Sequence, residues 1–310
     1  MNPKQLKFSL AVVINLLTAV IFGYYCFLGA NFYTLGDKGK SIIIAVSIIL
    51  LLIGTSLGAK KLKETKRNFK NNYILEKSLL VLFTVFMACS TYFLFSHYLV
   101  VSAQEKTIKS KLNDNINQAE NIYVEYEQYV KNRVYIYSRQ LDVAIFNKGG
   151  QPTVLARFGI NKSGAVSLST QKNIQIDKIK YLLLPPNFSQ IKTNDSTWLA
   201  SARKCVNDWE PISLVDVINS IETNTSNSLN QLVSFSKKTA LNEIYPKFSL
   251  NPSLSFINVK NHFTTLGTPS PFSIVLAILV YFLMLLSYFI TKRDSRGTGA
   301  LETAKYEVEL

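Results

Sequence analysis

Cysteine and histidine are scarce in this chain: of 310 residues, three are cysteine and two are histidine. Cys26 and Cys89 fall inside apolar stretches, and Cys205 is the one cysteine of the more polar region between them and the end of the chain. An internal disulfide framework is thereby excluded for that region, and its stability must come from packing. Cys205 reads as a buried, inert thiol, with pairing between two chains as the alternative. Neither His97 nor His262 has a carboxylate or thiol at ligand spacing, so no metal site is expected. A Gly-rich phosphate loop, an HExxH pair, a GxSxG elbow and a CxxC pair are all missing. We therefore assign no catalytic, cofactor-binding or metal-binding residue, and expect a protein that is not an enzyme.

Charge is absent from four long segments. Residues 8–30, 41–59, 79–101 and 272–290 contain no Asp, Glu, Lys or Arg. About 20 residues at about 1.5 Å per residue match a hydrocarbon core of about 30 Å, so each segment is long enough to cross a bilayer as a helix. The first apolar run outlasts the 7–15 residues of a secretory h-region, and a second follows directly, so it is read as a retained anchor. Titratable groups at membrane depth, which ion-driven motors and transporters need, are also lacking. Asn15 is the carboxamide deep in a span and is expected to bond across helices. Gly54 and Gly58 have the small-xxx-small spacing of a close helix contact.

The chain carries a formal charge of +14, and its distribution assigns sides of the membrane. Lys60, Lys61, Lys63, Lys66, Arg67, Lys70 and Lys77 crowd the loop after the second segment, against Glu64 and Glu76. By the positive-inside rule this loop is cytoplasmic, and Lys4, Lys7, Lys292, Arg293 and Arg296 fall on the same side after four crossings. The expected layout is three transmembrane helices within 1–101 with a cytoplasmic basic loop at 60–77. An extracytoplasmic, periplasmic domain at 102–271, a fourth span at 272–290 and a cytoplasmic tail at 291–310 follow. Since the positive charge lies largely at membrane ends, a nucleic-acid partner is not expected. An anionic lipid or an acidic cytoplasmic protein is the expected contact of Lys60, Lys61, Lys63, Lys66, Arg67 and Lys70.

The outward insert reads as mainly helical. Ile108, Leu112, Ile116, Ala119, Tyr123, Tyr126, Val130, Val134, Tyr137, Leu141 and Ile145 recur in steps of three and four, one stripe along an uninterrupted helix. Pro211 opens a second helix with a seam through Leu214, Ile218, Ile221, Thr225, Ser228, Leu232 and Phe235. Packed antiparallel, the two would form a long stalk. Between them, Thr153–Phe158 and Ala165–Leu168 flank the turn Asn161-Lys162-Ser163-Gly164 and predict a small β-hairpin. A short helix is predicted through Ile174, Ile179 and Leu182, stopped at Pro185-Pro186. Trp198, Leu199, Val206 and Trp209 would close a compact head at the far end. The fold class is thus a mainly α, four-span integral membrane protein with a helical extracytoplasmic domain and a hairpin-containing head.

Three N-terminal spans, a basic loop after the second, a helical outward insert and a fourth span ending in Ser287-Tyr288-Phe289-Ile290-Thr291-Lys292-Arg293-Asp294 resemble the TssN family, inner-membrane components of the type VI secretion systems of Bacteroidetes. The resemblance covers the layout of most of the chain. It implies a scaffold in a multi-protein envelope complex of the bacterial inner membrane, assembly as a homo-oligomer, and partners among the other envelope subunits. It brings no catalytic residue. The alternative is a membrane receptor whose periplasmic domain binds a ligand and signals through a separate cytoplasmic partner.

Overall fold

A computed structural model describes residues 10–65, 69–147, 150–249 and 256–293. Lys4, Lys7, Lys66, Arg67, Arg296, the side chain of Lys70 and the tail from Thr298 lie outside the described residues. The fold is mainly α, with no strand among the described residues. Two compact units divide it: Met1–Lys106 with Lys260–Leu310, and Thr107–Val259.

The first unit opens with α1 (Leu10–Tyr33) and α2 (Lys38–Glu64), then α3 (Phe69–Ser90), a π-helical turn (Thr91–Phe95) and α4 (Ser96–Ala103). Asp37 starts α2 by accepting from the Lys40 amide. Three helices, Leu10–Tyr33, Lys38–Glu64 and Asn71–Ala103, are long and apolar enough to cross a membrane. Their outer faces are apolar where those of a water-soluble bundle would be polar. Leu17, Ile21, Ile43, Leu50, Val81 and Val85 are exposed, while Asn15, Ser56, Ser96, Ser273 and Ser287 are buried. Asn15 Nδ2 donates to Ser56 Oγ at 3.1 Å and to Ser287 Oγ at 3.4 Å, the interhelical bond expected of it.

Close packing in this unit depends on two glycines outside the expected Gly54–Gly58 seam. A Cβ on Gly29 would lie 2.0 Å from the Leu94 carbonyl oxygen, which belongs to the π-helical turn. A Cβ on Gly23 would lie 2.2 Å from Ile49. The extra residue of a π turn displaces the local carbonyls, and only glycine on α1 leaves room for one of them. Nothing lies within 4 Å of a Cβ on Gly54, so that position makes no close contact within the chain.

In the second unit, α5 (Glu105–Asp142) runs into a π-helical turn (Val143–Asn147) and is followed by α6 (Pro152–Arg157), α7 (Leu168–Leu183), α8 (Phe188–Asp208) and α9 (Pro211–Ser236). A turn at Gln104 separates α4 from α5. The predicted α5 stripe is buried, except that Val134 and Ile145 are half-buried. The α9 seam is buried from Leu214 to Leu232, and Pro211 occupies its first turn. Leu199 and Val206 are buried and Trp198 and Trp209 half-buried, but they do not close a head at the far end: Asn207 meets Asn113 and the Trp209 ring centroid lies 5.9 Å from Lys109 Nζ, so the end of α8 packs beside the start of α5.

Two further expectations are corrected. The predicted β-hairpin is absent: Thr153–Arg157 belong to α6, which begins with Pro152 in its first turn and ends at Gly159 in the left-handed region (φ +67°). The Ile160 amide bonds the Leu155 carbonyl, a Schellman-type stop. Helix signals at both ends thus override a short alternating pattern. The Asn161–Gly164 turn itself exists, built by Asn161 Oδ1 accepting from the Ser163 amide at 3.1 Å.

The antiparallel partner of α5 is α8 rather than α9. Glu127 meets Lys192, Glu120 meets Arg203 and Asn113 meets Asn207, so residue numbers fall along one helix as they rise along the other. By contrast, Tyr123 and Ser228 share Asp195, and Arg133 bonds the Ser236 carbonyl, so α9 runs parallel to α5.

The chain returns to the first unit through α10 (Phe256–Thr264), α11 (Pro271–Met284) and α12 (Leu286–Ile290). The expected fourth span therefore contains an α11 of 14 residues and a distortion at Leu285 (φ −92°, ψ 2°). Bonds from the Leu285 amide to Tyr281 and from the Phe289 amide to Leu285 carry the ladder through it.

Candidate functional site

The second unit is braced by buried charge. Arg133 and Glu243 have side chains with 0 % exposure. Nε of Arg133 donates to Glu243 Oε1 at 2.6 Å and Nη2 to Oε2 at 2.9 Å. Nη1 donates to the Tyr129 hydroxyl at 3.0 Å and to the Ser236 carbonyl, and Nη2 also to the Lys238 carbonyl at 2.6 Å. All five guanidinium N–H groups are thereby used. The Tyr245 ring stacks 3.6 Å from the guanidinium carbon. Burial disfavours the guanidinium charge, but the Glu243 carboxylate and Tyr129 outweigh it, and the net shift of Arg133 is upward. The result is a strap, residues 237–249, fastened to α5.

Asp195 does the same for three helices. It accepts from the Tyr123 hydroxyl of α5, from the Ser228 hydroxyl of α9 and, at 3.0 Å, from Trp198 Nε1 on its own helix. Burial followed by the Asp195 bond pushes the Tyr123 phenol well above its ordinary value.

Between the end of α5, α6 and the strap lies a groove of about 450 Å³. Gln140 fixes its edge by bonding both the amide and the carbonyl of Ile244, the amide at 3.1 Å. Ile136, Val143, Val154 and Phe158 give it an apolar lining, to which Arg139 and Arg157 add charge. Both arginines are exposed. Arg139 Nη1 donates to the Tyr135 hydroxyl at 3.2 Å. Exposed apolar side chains cluster here: Ile244 is 76 % exposed, and Phe146, on the same π-helical turn as Val143, is 74 % exposed. Apolar surface with a charged rim is the chemistry of a docking surface.

The cationic residues named from the sequence have different fates. Lys60 faces Glu64 at 3.7 Å, and Lys61 is exposed. Lys63 is turned inward. Its Nζ donates to the Tyr288 carbonyl at 2.9 Å and sits 4.3 Å from the Tyr288 ring centroid, tying α2 to α12. Buried Glu76 accepts from the Tyr288 hydroxyl at 2.5 Å and from Arg293 Nη2 at 2.6 and 2.7 Å. His97 Nε2 pairs with the Phe263 carbonyl at 2.7 Å, and His262 Nδ1 with Gln104 Oε1 at 2.7 Å. Neither histidine was given a site role from the sequence, and each has a local structural one. Cys205 is buried, and burial followed by the nearby Glu210 pushes its thiol up to about 11.

Sequence reasoning missed Arg133, Asp195 and the groove arginines. Arg133 and Asp195 carried a usable signal, since each puts a charge at a seam position of an otherwise amphipathic helix. Arg139 and Arg157 carried none, because a solvated face looks the same in sequence. Compared with protein-family models, curated proteins and solved structures, the chain matches none of them.

Proposed function

We propose that this chain is a non-enzymatic, four-span scaffold subunit of a multi-protein envelope complex in the bacterial inner membrane. Both termini are cytoplasmic in this reading, and residues 102–271 are periplasmic. The observation that carries it is the apolar outer face of the first unit, with Asn15 hydrogen-bonded to Ser56 and Ser287 inside. That pattern suits a hydrocarbon solvent, where helices associate through small and polar residues. The backbone bonds from the Leu285 amide to Tyr281 and from the Phe289 amide to Leu285 support treating residues 271–290 as one span. In the second unit, the groove at Arg139 and Arg157 is the proposed docking surface for another envelope protein. The layout resemblance to TssN leads us to infer a type VI secretion membrane complex, assembled from several copies of this chain.

Crosslinking in native membranes followed by mass spectrometry tests the scaffold: crosslinks should join Arg139–Phe158 to other envelope proteins and this chain to itself. A second reading, the receptor, rests on the groove volume, which lies in the range of small-molecule sites. A monomer that binds a small molecule there and crosslinks to nothing would favour it. Topology is tested separately. Cysteine at the exposed Ser226 should react with an impermeant maleimide from the periplasmic side, and cysteine at Lys61 only after permeabilisation.

A further inference from the structure

One end of the first unit has a cleft of about 600 Å³ between α1, α2 and α12. Ile14 of α1 and Leu286 and Ile290 of α12 line it, and Lys60 and Lys292 add two cations. Ser287, also on the lining, is turned to Asn15. Of the other cations at this end, Lys63 is engaged by Tyr288 and Arg293 by Glu76, while Lys61 is exposed and does not line the cleft. Lys60 has a side chain 19 % exposed, and its pair with Glu64 at 3.7 Å is too long for a hydrogen bond. Lys292 is exposed and has no ion-pair partner among the described residues. Two lysines and Glu64 leave the cleft with one net positive charge.

An apolar cleft among helices on a membrane-facing unit, with cations at its edge, has the form of a headgroup site. A free anion would use the lysines and leave the apolar wall bare. A neutral or zwitterionic lipid would leave the positive charge unbalanced. An acidic glycerophospholipid satisfies both features. We infer that this cleft binds one anionic phospholipid, its phosphodiester held by Lys60 and Lys292 and an acyl chain lying along Ile14, Leu286 and Ile290. The inference rests on reading the first unit as membrane-embedded with this end at the cytoplasmic leaflet.

The test is native mass spectrometry of the full chain in mild detergent, titrated with phosphatidylglycerol and with phosphatidylcholine. One phosphatidylglycerol should be retained in preference. A lysine near an anionic surface contributes a factor of about 5 in affinity, so Lys292→Gln should weaken phosphatidylglycerol about 5-fold and Lys60→Gln/Lys292→Gln about 30-fold. Lys77→Gln makes the same charge change on an exposed lysine outside the cleft lining and should change affinity less than about 2-fold. Circular dichroism of each variant should match the parent, so that lost binding reports the site. Equal retention of the two lipids, a Lys77→Gln effect as large as that of Lys292→Gln, or displacement by glycerol phosphate would each overturn the inference. A chain that enters phosphatidylcholine nanodiscs yet shows no lipid preference sinks the site alone. A chain that stays dispersed without detergent or bilayer sinks the membrane reading and the site together.

Discussion

Replacing Arg133 with methionine keeps a long apolar stem and removes the guanidinium. It leaves the Glu243 carboxylate without exposure and without its cation, and the Ser236 and Lys238 carbonyls without that donor. Breaking one side of a buried ion pair costs about 3–5 kcal/mol, chiefly from the uncompensated charge. The unit Thr107–Val259 is of a size for which each kcal/mol moves Tm by about 2–4 °C, so the expected fall is about 10 °C. Intrinsic fluorescence reads this selectively, because both tryptophans, Trp198 and Trp209, are in that unit. The experiment uses the full chain in detergent, heated with and without the substitution. Arg133→Met/Glu243→Leu, which removes both charges, should recover about half of the loss, as buried pairs replaced by apolar groups often do. A single variant within about 3 °C of the parent, or a double variant as unstable as the sum of the singles, would refute the clamp.

Gly29→Ala should destabilise the first unit by several kcal/mol because its Cβ would meet the Leu94 carbonyl, whereas Gly54→Ala, in open space within a helix, should be neutral or stabilise by about 0.5–1 kcal/mol; thermal aggregation in detergent distinguishes the two. The Cys205 thiol, near 9.0 when unperturbed and about 11 in the fold, keeps its proton in the native state after the unfolded chain has lost it. Its contribution to stability is therefore complete below pH 9 and lost as the pH climbs to about 11, and Cys205→Ala should flatten urea-midpoint measurements across that window. Arg139→Glu/Arg157→Glu should abolish crosslinks from the groove to envelope partners while leaving Tm within about 2 °C, since exposed charges contribute little to folding.

Much of the second unit could be read in the chain because burial follows periodicity. Nine of the eleven α5 stripe positions are buried, and the α9 seam is buried from Leu214 to Leu232. What escaped was a helix whose seam contains a charge. In α8, Phe188, Ile191, Asp195, Leu199, Ala202 and Val206 step as an amphipathic helix should, but Asp195 interrupts the apolar stripe. It is tolerated because Tyr123, Ser228 and Trp198 each donate to it. Those donors come from three helices, two of them more than 30 residues away in sequence, and no local window contains them. The same blindness placed Val134 on the stripe where Arg133 is the more deeply buried.

The sequence by itself determined that three segments form helices long and apolar enough for a membrane, that the intervening region is helical and disulfide-free, and where its two principal seams lie. These follow from composition and from spacing along one element. Only the tertiary structure decided that α8 rather than α9 runs antiparallel to α5, that the strap is bolted by Arg133, and which lysines remain to meet another molecule. Each of those depends on groups far apart in sequence competing for the same hydrogen bonds, and that competition is resolved only when the helices pack.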